Sequence, residues 1–285
     1  MVQNMKILID FKNTASSAEI TDYISSNNLV LLKVFDSFEK LYMVESDAIP
    51  PSSDIVENVI ADSSITINPL LSTVSVKKTE DNDWWKYVSL DDTNDGAEEI
   101  LVTKSGQETI VYVLDSGVEA THSEFADKTI TNLFSFNGDF VDYNGHGTAI
   151  ASLLCGNTCA VANAVVKSVK IFQSSVDTTI LDLVLALEEI GKDISATPDK
   201  FHVINMSWGI NKNEWIESKI RELILQNAVV VAAAGNSGVS IETITPASMP
   251  DVFTVGAYNS NLASSRESAS ICLYSIVVCL IANSF

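Results

Sequence analysis

The sequence predicts an α/β protein, a parallel sheet with helices on both faces, preceded by a small α+β unit. Three observations carry that expectation. All twelve glycines of the 285 residues lie at or after Gly96, so two stretches of different architecture meet near residue 100. The later stretch alternates apolar runs with amphipathic segments, as a parallel sheet covered by helices does. Its first run, Thr109 to Leu114, is continuously apolar, the mark of a strand buried on both faces.

The N-terminal unit begins with a short apolar strand, Lys6 to Phe11. Ser16 to Ser25 opens with capping residues and places Ala18, Ile20 and Ile24 at helical spacing. Leu29 to Phe35 and Lys40 to Val44 are rich in β-branched and aromatic residues and flank the polar turn Asp36–Glu39, so both read as strands. Pro50-Pro51-Ser52-Ser53-Asp54 stops the chain and supplies an N-cap, and Ile55, Val59 and Ile60 give a second helix its apolar face. Ser64 to Ile67 closes as a strand. This order is similar to the ferredoxin-like split βαβ arrangement. The unit is expected to span residues 1–75. An acidic linker follows over 76–100; within it, over 81–100, Asp81, Asp83, Asp91, Asp92, Asp95, Glu98 and Glu99 stand against Lys86 alone.

In the second unit strands are expected at Thr109–Leu114, Ala164–Phe172, His202–Met206, Ala228–Ala234 and Val252–Val255. Helices are expected at His146–Leu154, Thr179–Ile190 and Trp215–Gln226. Sites in such folds gather at the carboxyl ends of the strands.

Composition narrows the partners. Against 37 Asp and Glu stand 17 Lys and Arg, a net charge of −20, which excludes the basic footprint that nucleic acid needs. It also opposes an anionic membrane surface. At 46% hydrophobic the chain is too apolar to be disordered. Cys155, Cys159, Cys272 and Cys279 form no CxxC pair and no zinc spacing; Cys155 and Cys159 are expected as small buried residues on one helix face. Ile271 to Ala282 is short of the ~20 apolar residues that span a bilayer. Met1 to Asp10 lacks the pattern of an export signal, which leaves localisation open, a cytoplasmic or virus-encoded product included.

Three strand ends bear chemistry. Asp115-Ser116-Gly117 follows the first buried strand, where an acid can orient an imidazole or bind a metal. Asn144-Gly145-His146-Gly147-Thr148 opens a helix: the glycines admit close approach of another segment, and Thr148 is expected to satisfy amides of the first turn. Gly145-x-Gly147 with Ala149 and Ala151 is also a degraded dinucleotide fingerprint, but the polar loop Asp139–Asn144, not a strand, precedes it. Ala232-Ala233-Ala234-Gly235-Asn236-Ser237-Gly238 ends another buried strand, and an Asn there suits an amide donor aimed at a developing oxyanion.

Asp115 and His146 are thirty-one residues apart, and Asn236 follows ninety later. With the stretches Tyr112–Phe125, Asn144–Thr148, Ile204–Gly209, Val229–Asn236 and Pro246–Ala257 in this order, the chain resembles the subtilases, most closely the proteinase K-like branch. The resemblance implies a serine endopeptidase acting on polypeptides. Asp115 would orient His146, His146 would be the general base, and Asn236 the oxyanion donor. Ser207, Trp208 and Gly209 would pair with substrate backbone, and Ala233 and Gly235 would line the pocket before the scissile bond. His122 and Glu124 match structural positions. The N-terminal unit would be an inhibitory pro-domain bound within the same chain, cut between about Ser72 and Asp83. Calcium is a habit of the family, but no ligands can be named here. The family serine belongs to a Gly-Thr-Ser-Met-Ala type sequence sixty or more residues past the oxyanion Asn. Only 49 residues follow Asn236, and none of their serines has that context. The peptidase domain is therefore expected to be partial, 101–257, with a divergent tail over 258–285 and little hydrolysis from this chain alone.

Overall fold

A computed structural model describes residues 5–69, 106, 108–157, 160, 164–173, 178–235 and 237–256. The acidic linker, the tail over 258–285 and Cys159, Cys272 and Cys279 lie outside the described residues.

The first unit is a four-stranded antiparallel sheet with one helix. Strand β1 (Met5–Phe11) lies between β3 (Leu41–Ser46) and β4 (Val56–Ala61), and β2 (Val30–Val34) is the far edge beside β3. Helix α1 (Ser17–Ser26) is started by a capping box, in which Ser16 and Glu19 exchange side-chain and backbone hydrogen bonds. The expected second helix over Ile55–Ile60 is instead strand β4. The spacing of Ile55, Val59 and Ile60 suits either element. Val56, Val59 and Ile60 are β-branched, and β4 pairs with the free edge of β1 from Ile7↔Ala61 to Phe11↔Val56. Ser64–Ile65 (β5) does extend, but it leaves this sheet and pairs with β10 (Thr178–Thr179) of the second unit.

The period of two in β1 divides its side chains. Ile7, Ile9 and Phe11 pack with Ile20 and Tyr23 of α1, while Leu8 turns to the opposite face and joins the core of the second unit with Phe35, Phe38 and Leu41.

The second unit is a six-stranded parallel sheet. Its strands are β7 (Thr109–Asp115), β8 (Ile130–Ser135), β9 (Val165–Lys170), β11 (Phe201–Met206), β13 (Ala228–Ala233) and β15 (Phe253–Val255), in spatial order β15-β13-β11-β7-β9-β8. The edge strand β8, mixed in polarity, is the one that the sequence pattern did not reveal. Along β7, Val111 and Val113 meet Ile150, Ala151 and Leu154 of helix α2 (His146–Cys155). Ile110, Tyr112 and Leu114 face the other layer, helices α3 (Ile180–Ala196) and α4 (Glu214–Leu225). Helices thus cover both faces, as expected. Two short strands, β12 (Trp208–Asn211) and β14 (Ile244–Thr245), pair antiparallel just beyond the sheet.

One of the apolar clusters is shared by the two units. Its polar anchors are buried as well. The Glu188 carboxylate on α3 accepts from the backbone N–H groups of Asp36 (2.7 Å) and Ser37 (2.9 Å). Lys219 on α4, 2% exposed, sits 3.0 Å from Asp10 and 3.0 Å from Glu222, with its ammonium over the rings of Phe38 and Trp215. The Trp215 indole donates to Asp10.

Candidate active site

Asp115 is the last residue of β7 and is fully buried; its backbone carbonyl accepts from Ile171, and its side chain accepts from the N–H of Ser116 at 2.7 Å. His146 is the first residue of α2. Its ring Nδ1 lies 2.7 and 2.8 Å from the two Asp115 oxygens. Since the carboxylate only accepts, Nδ1 carries the proton. Nε2, equally buried, has no hydrogen-bond partner among the described residues. Burial alone would push the imidazole pKa down. The charge and hydrogen bond of Asp115, with the charge of Asp142 behind it, outweigh that and hold it above its usual value.

The glycines around His146 have separate tasks. Gly145 caps the helix at φ 85°, a left-handed conformation that costs glycine nothing. Gly147 lies so close to the strand end that a Cβ on it would stand 2.1 Å from the Gly117 carbonyl oxygen and 3.0 Å from the Asp115 Cβ. Only the bare backbone lets helix and strand meet at the Asp–His contact.

The expectation for Thr148 needs correcting. Its hydroxyl does not serve the first turn of α2; it donates to Asp142 and accepts from the Glu119 N–H. Asp142 takes the capping role, with one oxygen receiving the N–H groups of Asn144 and Gly145 and the other that of Thr148. Sequence reasoning left Asp142 in a polar loop; an Asp two residues before Asn144 was the available signal for such local capping. His122 accepts from the Glu124 N–H and starts a short 3-10 turn, a structural task.

The remaining candidates gather at the same carboxyl edge of the sheet. Ser207 directly follows β11, the neighbour of β7, and accepts from the Asn205 side chain. Trp208 is fully buried, its indole donating to the Leu114 carbonyl at 2.7 Å beside the end of β7. Trp208 and Gly209 pair antiparallel with the chain's own Pro69 and Asn68, the short strand β6. Ala233 ends β13, and Gly235 (φ 89°) turns the chain away just after it. Asn236 lies outside the described residues. Among the described residues no three His, Cys, Asp or Glu side chains gather as a group that could hold a metal ion.

A buried carboxylate–imidazole pair thus lies at the carboxyl edge of a parallel sheet, beside an antiparallel pairing strand. A family profile described as the Subtilase family matches residues 106–284, a span that includes the stretch read as a divergent tail. The chain belongs to the subtilase family.

Alkaline protease 1 of Aspergillus clavatus is 35% identical over 165 residues, covering 56% of this chain and 40% of that protein. Subtilisin-like proteinase Mp1 of Magnaporthiopsis poae is 32% identical over 158 residues, covering 53% and 39%. The chain thus spans about two fifths of the length of the curated relatives it matches. Among solved structures, fervidolysin from Fervidobacterium pennivorans, a keratinolytic enzyme related to subtilisin, aligns with TM-score 0.69 at 16% identity, over 98% of this chain and 55% of that one. The epidermin leader peptide processing serine protease of Staphylococcus aureus aligns with TM-score 0.61 at 19% identity, over 93% and 72%. The shared fold is that of subtilisin-like proteases, and both alignments cover nearly the whole chain.

Proposed function

We propose that this chain carries the base side of a subtilisin-like serine endopeptidase acting on polypeptides, with residues 1–75 as its inhibitory pro-domain. The observation that supports this most is the buried Asp115–His146 contact, with Nε2 unpartnered among the described residues. With the Nδ1 proton committed to Asp115, the Nε2 lone pair is the base that takes a proton from a serine hydroxyl and returns it to the leaving amine. Asp115 fixes the tautomer and stabilises the imidazolium. Asn236 donates its amide to the oxyanion, Ser207, Trp208 and Gly209 hold the substrate backbone as an added strand, and Ala233 and Gly235 line the pocket before the scissile bond.

The pro-domain reading has its own support. The first sheet docks on α3 and α4 through the Glu188 and Lys219 anchors, and β6 lies along Trp208–Gly209, where substrate backbone would pair. The segment 76–100 is then the linker, with the cut between about Ser72 and Asp83. The same pairing suits a second reading, a pseudoprotease or a binding protein that inhibits a protease.

No serine after Asn236 stands in the Gly-Thr-Ser context of the family, so the 285-residue chain by itself should not turn over peptides. Purified protein incubated with unfolded casein and a peptide substrate tests this, with His146→Ala as control. Equal, background rates in both are expected, and robust turnover abolished in His146→Ala would refute it. Residues 1–80 added to an active subtilase should inhibit it; full remaining activity removes the inhibitory role.

A further inference from the structure

Asp142 makes more contacts around His146 than any residue the peptidase reading assigns a role. One of its oxygens accepts from the Ser116 hydroxyl (2.8 Å), the Asn144 N–H (3.1 Å) and the Gly145 N–H (2.8 Å). The other accepts from the Thr148 N–H (3.0 Å) and the Thr148 hydroxyl (2.6 Å). Ser116 follows Asp115 directly, and its hydroxyl also accepts from the Gly147 N–H at 3.0 Å. A single carboxylate therefore joins the strand end that carries Asp115 to the helix start that carries His146, bonding residues before and after His146 in the chain.

We propose that Asp142 is a positioning residue for His146, clamping the Asn144–Thr148 helix start to the Asp115–Gly117 strand end so that the imidazole meets Asp115. All five donors on Asp142 are N–H or O–H groups, three of them backbone amides that cannot reverse their direction. A neutral amide in its place would turn an NH2 group toward at least one of them, so charge and hydrogen-bond pattern both call for a carboxylate. The loop it sits in is itself held: the Lys170 ammonium, fully buried and opposite Asp115 in the sheet, donates to the Val141 carbonyl at 2.7 Å and lies over the Tyr143 ring.

Among the described residues the charges that act on the imidazole are Asp115 on β7 and Asp142 in the loop, while Lys170 on β9 pairs beside Asp115 and the Glu119 backbone bonds Thr148. Of these, Asp115 and Asp142 both favour the imidazolium. Loss of the Asp142 charge therefore lowers the pH at which His146 titrates. The proposal rests on the peptidase reading for its catalytic consequence, while the geometry it concerns is measured without any activity.

Histidine side-chain NMR on the full 285-residue chain tests it, because His122, His146 and His202 are its three histidines. In Asp142→Asn the His146 titration should move to lower pH, and the Nδ1 proton shared with Asp115 should exchange faster with water. His202, bound to Tyr112 and the Thr197 carbonyl, should titrate as before. Ser116→Ala keeps the Asp142 charge but cuts its tie to the strand end. It should speed exchange of the same Nδ1 proton and shift the titration less, and it decides the matter if Asp142→Asn does not fold. Lower melting temperatures with the His146 titration and Nδ1 exchange unchanged would make Asp142 a loop fastener only, and would overturn the proposal. Failure of the peptidase reading would appear elsewhere, in the casein and inhibition assays, and would leave these NMR outcomes standing.

Discussion

At the carboxyl edge of the large sheet a carboxylate faces an imidazole, whereas beneath the small sheet a carboxylate faces an ammonium. Both pairs are buried, and they differ in what the cation can do. An imidazole can take up and give back a proton, and the second nitrogen of His146 has no partner among the described residues. Lys219 is enclosed by Asp10, Glu222 and two aromatic rings. The first arrangement suits proton transfer. The second suits recognition, because removing one member of a buried pair leaves the other uncompensated, which penalises a mismatched surface.

The comparison can be broken at its tightest point. Gly147→Ala drives a methyl group into the Gly117 carbonyl at the Asp–His contact, and backbone cannot yield there as a flexible side chain would. A loss of more than about 4 kcal/mol in urea unfolding, or no folded protein at all, is expected, since large effects come from such backbone collisions. Lys219→Met tests the other region. Stranding Asp10 should cost about 3–5 kcal/mol, and the double variant Asp10→Leu with Lys219→Met should regain most of it. A double variant as unstable as the single would show that the pair is not coupled.

A smaller effect sharpens the contrast between histidines. His146 has its pKa raised in the folded state, so its stabilising contribution is full below the unfolded value of about 6.5 and is lost as pH rises through the folded value. His202 has the opposite sign: burial lowers its pKa against the pull of the Thr197 carbonyl and Asp193. The folded state then loses stability as pH falls below about 6.5. His146→Gln should therefore cost most near pH 6 and less at about pH 9, whereas His202→Gln should flatten the acid limb. Urea unfolding across that range distinguishes them, and parallel profiles for the two variants would remove the distinction.

Much of the architecture was legible because burial imposes a visible pattern. β7 reads as a strand from its uninterrupted apolar run, and α3 as a helix from its amphipathic period; the structure adds a capping box between Thr179 and Asp182. The edges were not legible. β8 mixes polar and apolar residues and, among the described residues, has a strand on one side only, and Ile55–Ile60 becomes β4 through the demand of β1 for a partner. At the site, Asp115 and His146 were visible as unusual residues among glycines at strand and helix ends. Asp142 was not, because an acid in a polar loop looks the same whether it faces water or five donors.

By itself the sequence determined which segments are buried and which residues can exchange a proton, since both follow from side-chain chemistry and spacing. Tertiary structure alone decided that Asn68 and Pro69 lie along Trp208 and Gly209, that Glu188 and Lys219 are the anchors of the first unit, and that Asp142 spans two segments. Each of these joins residues far apart in the chain or depends on which way a short side chain turns, and such contacts exist only once the sheets and helices have packed.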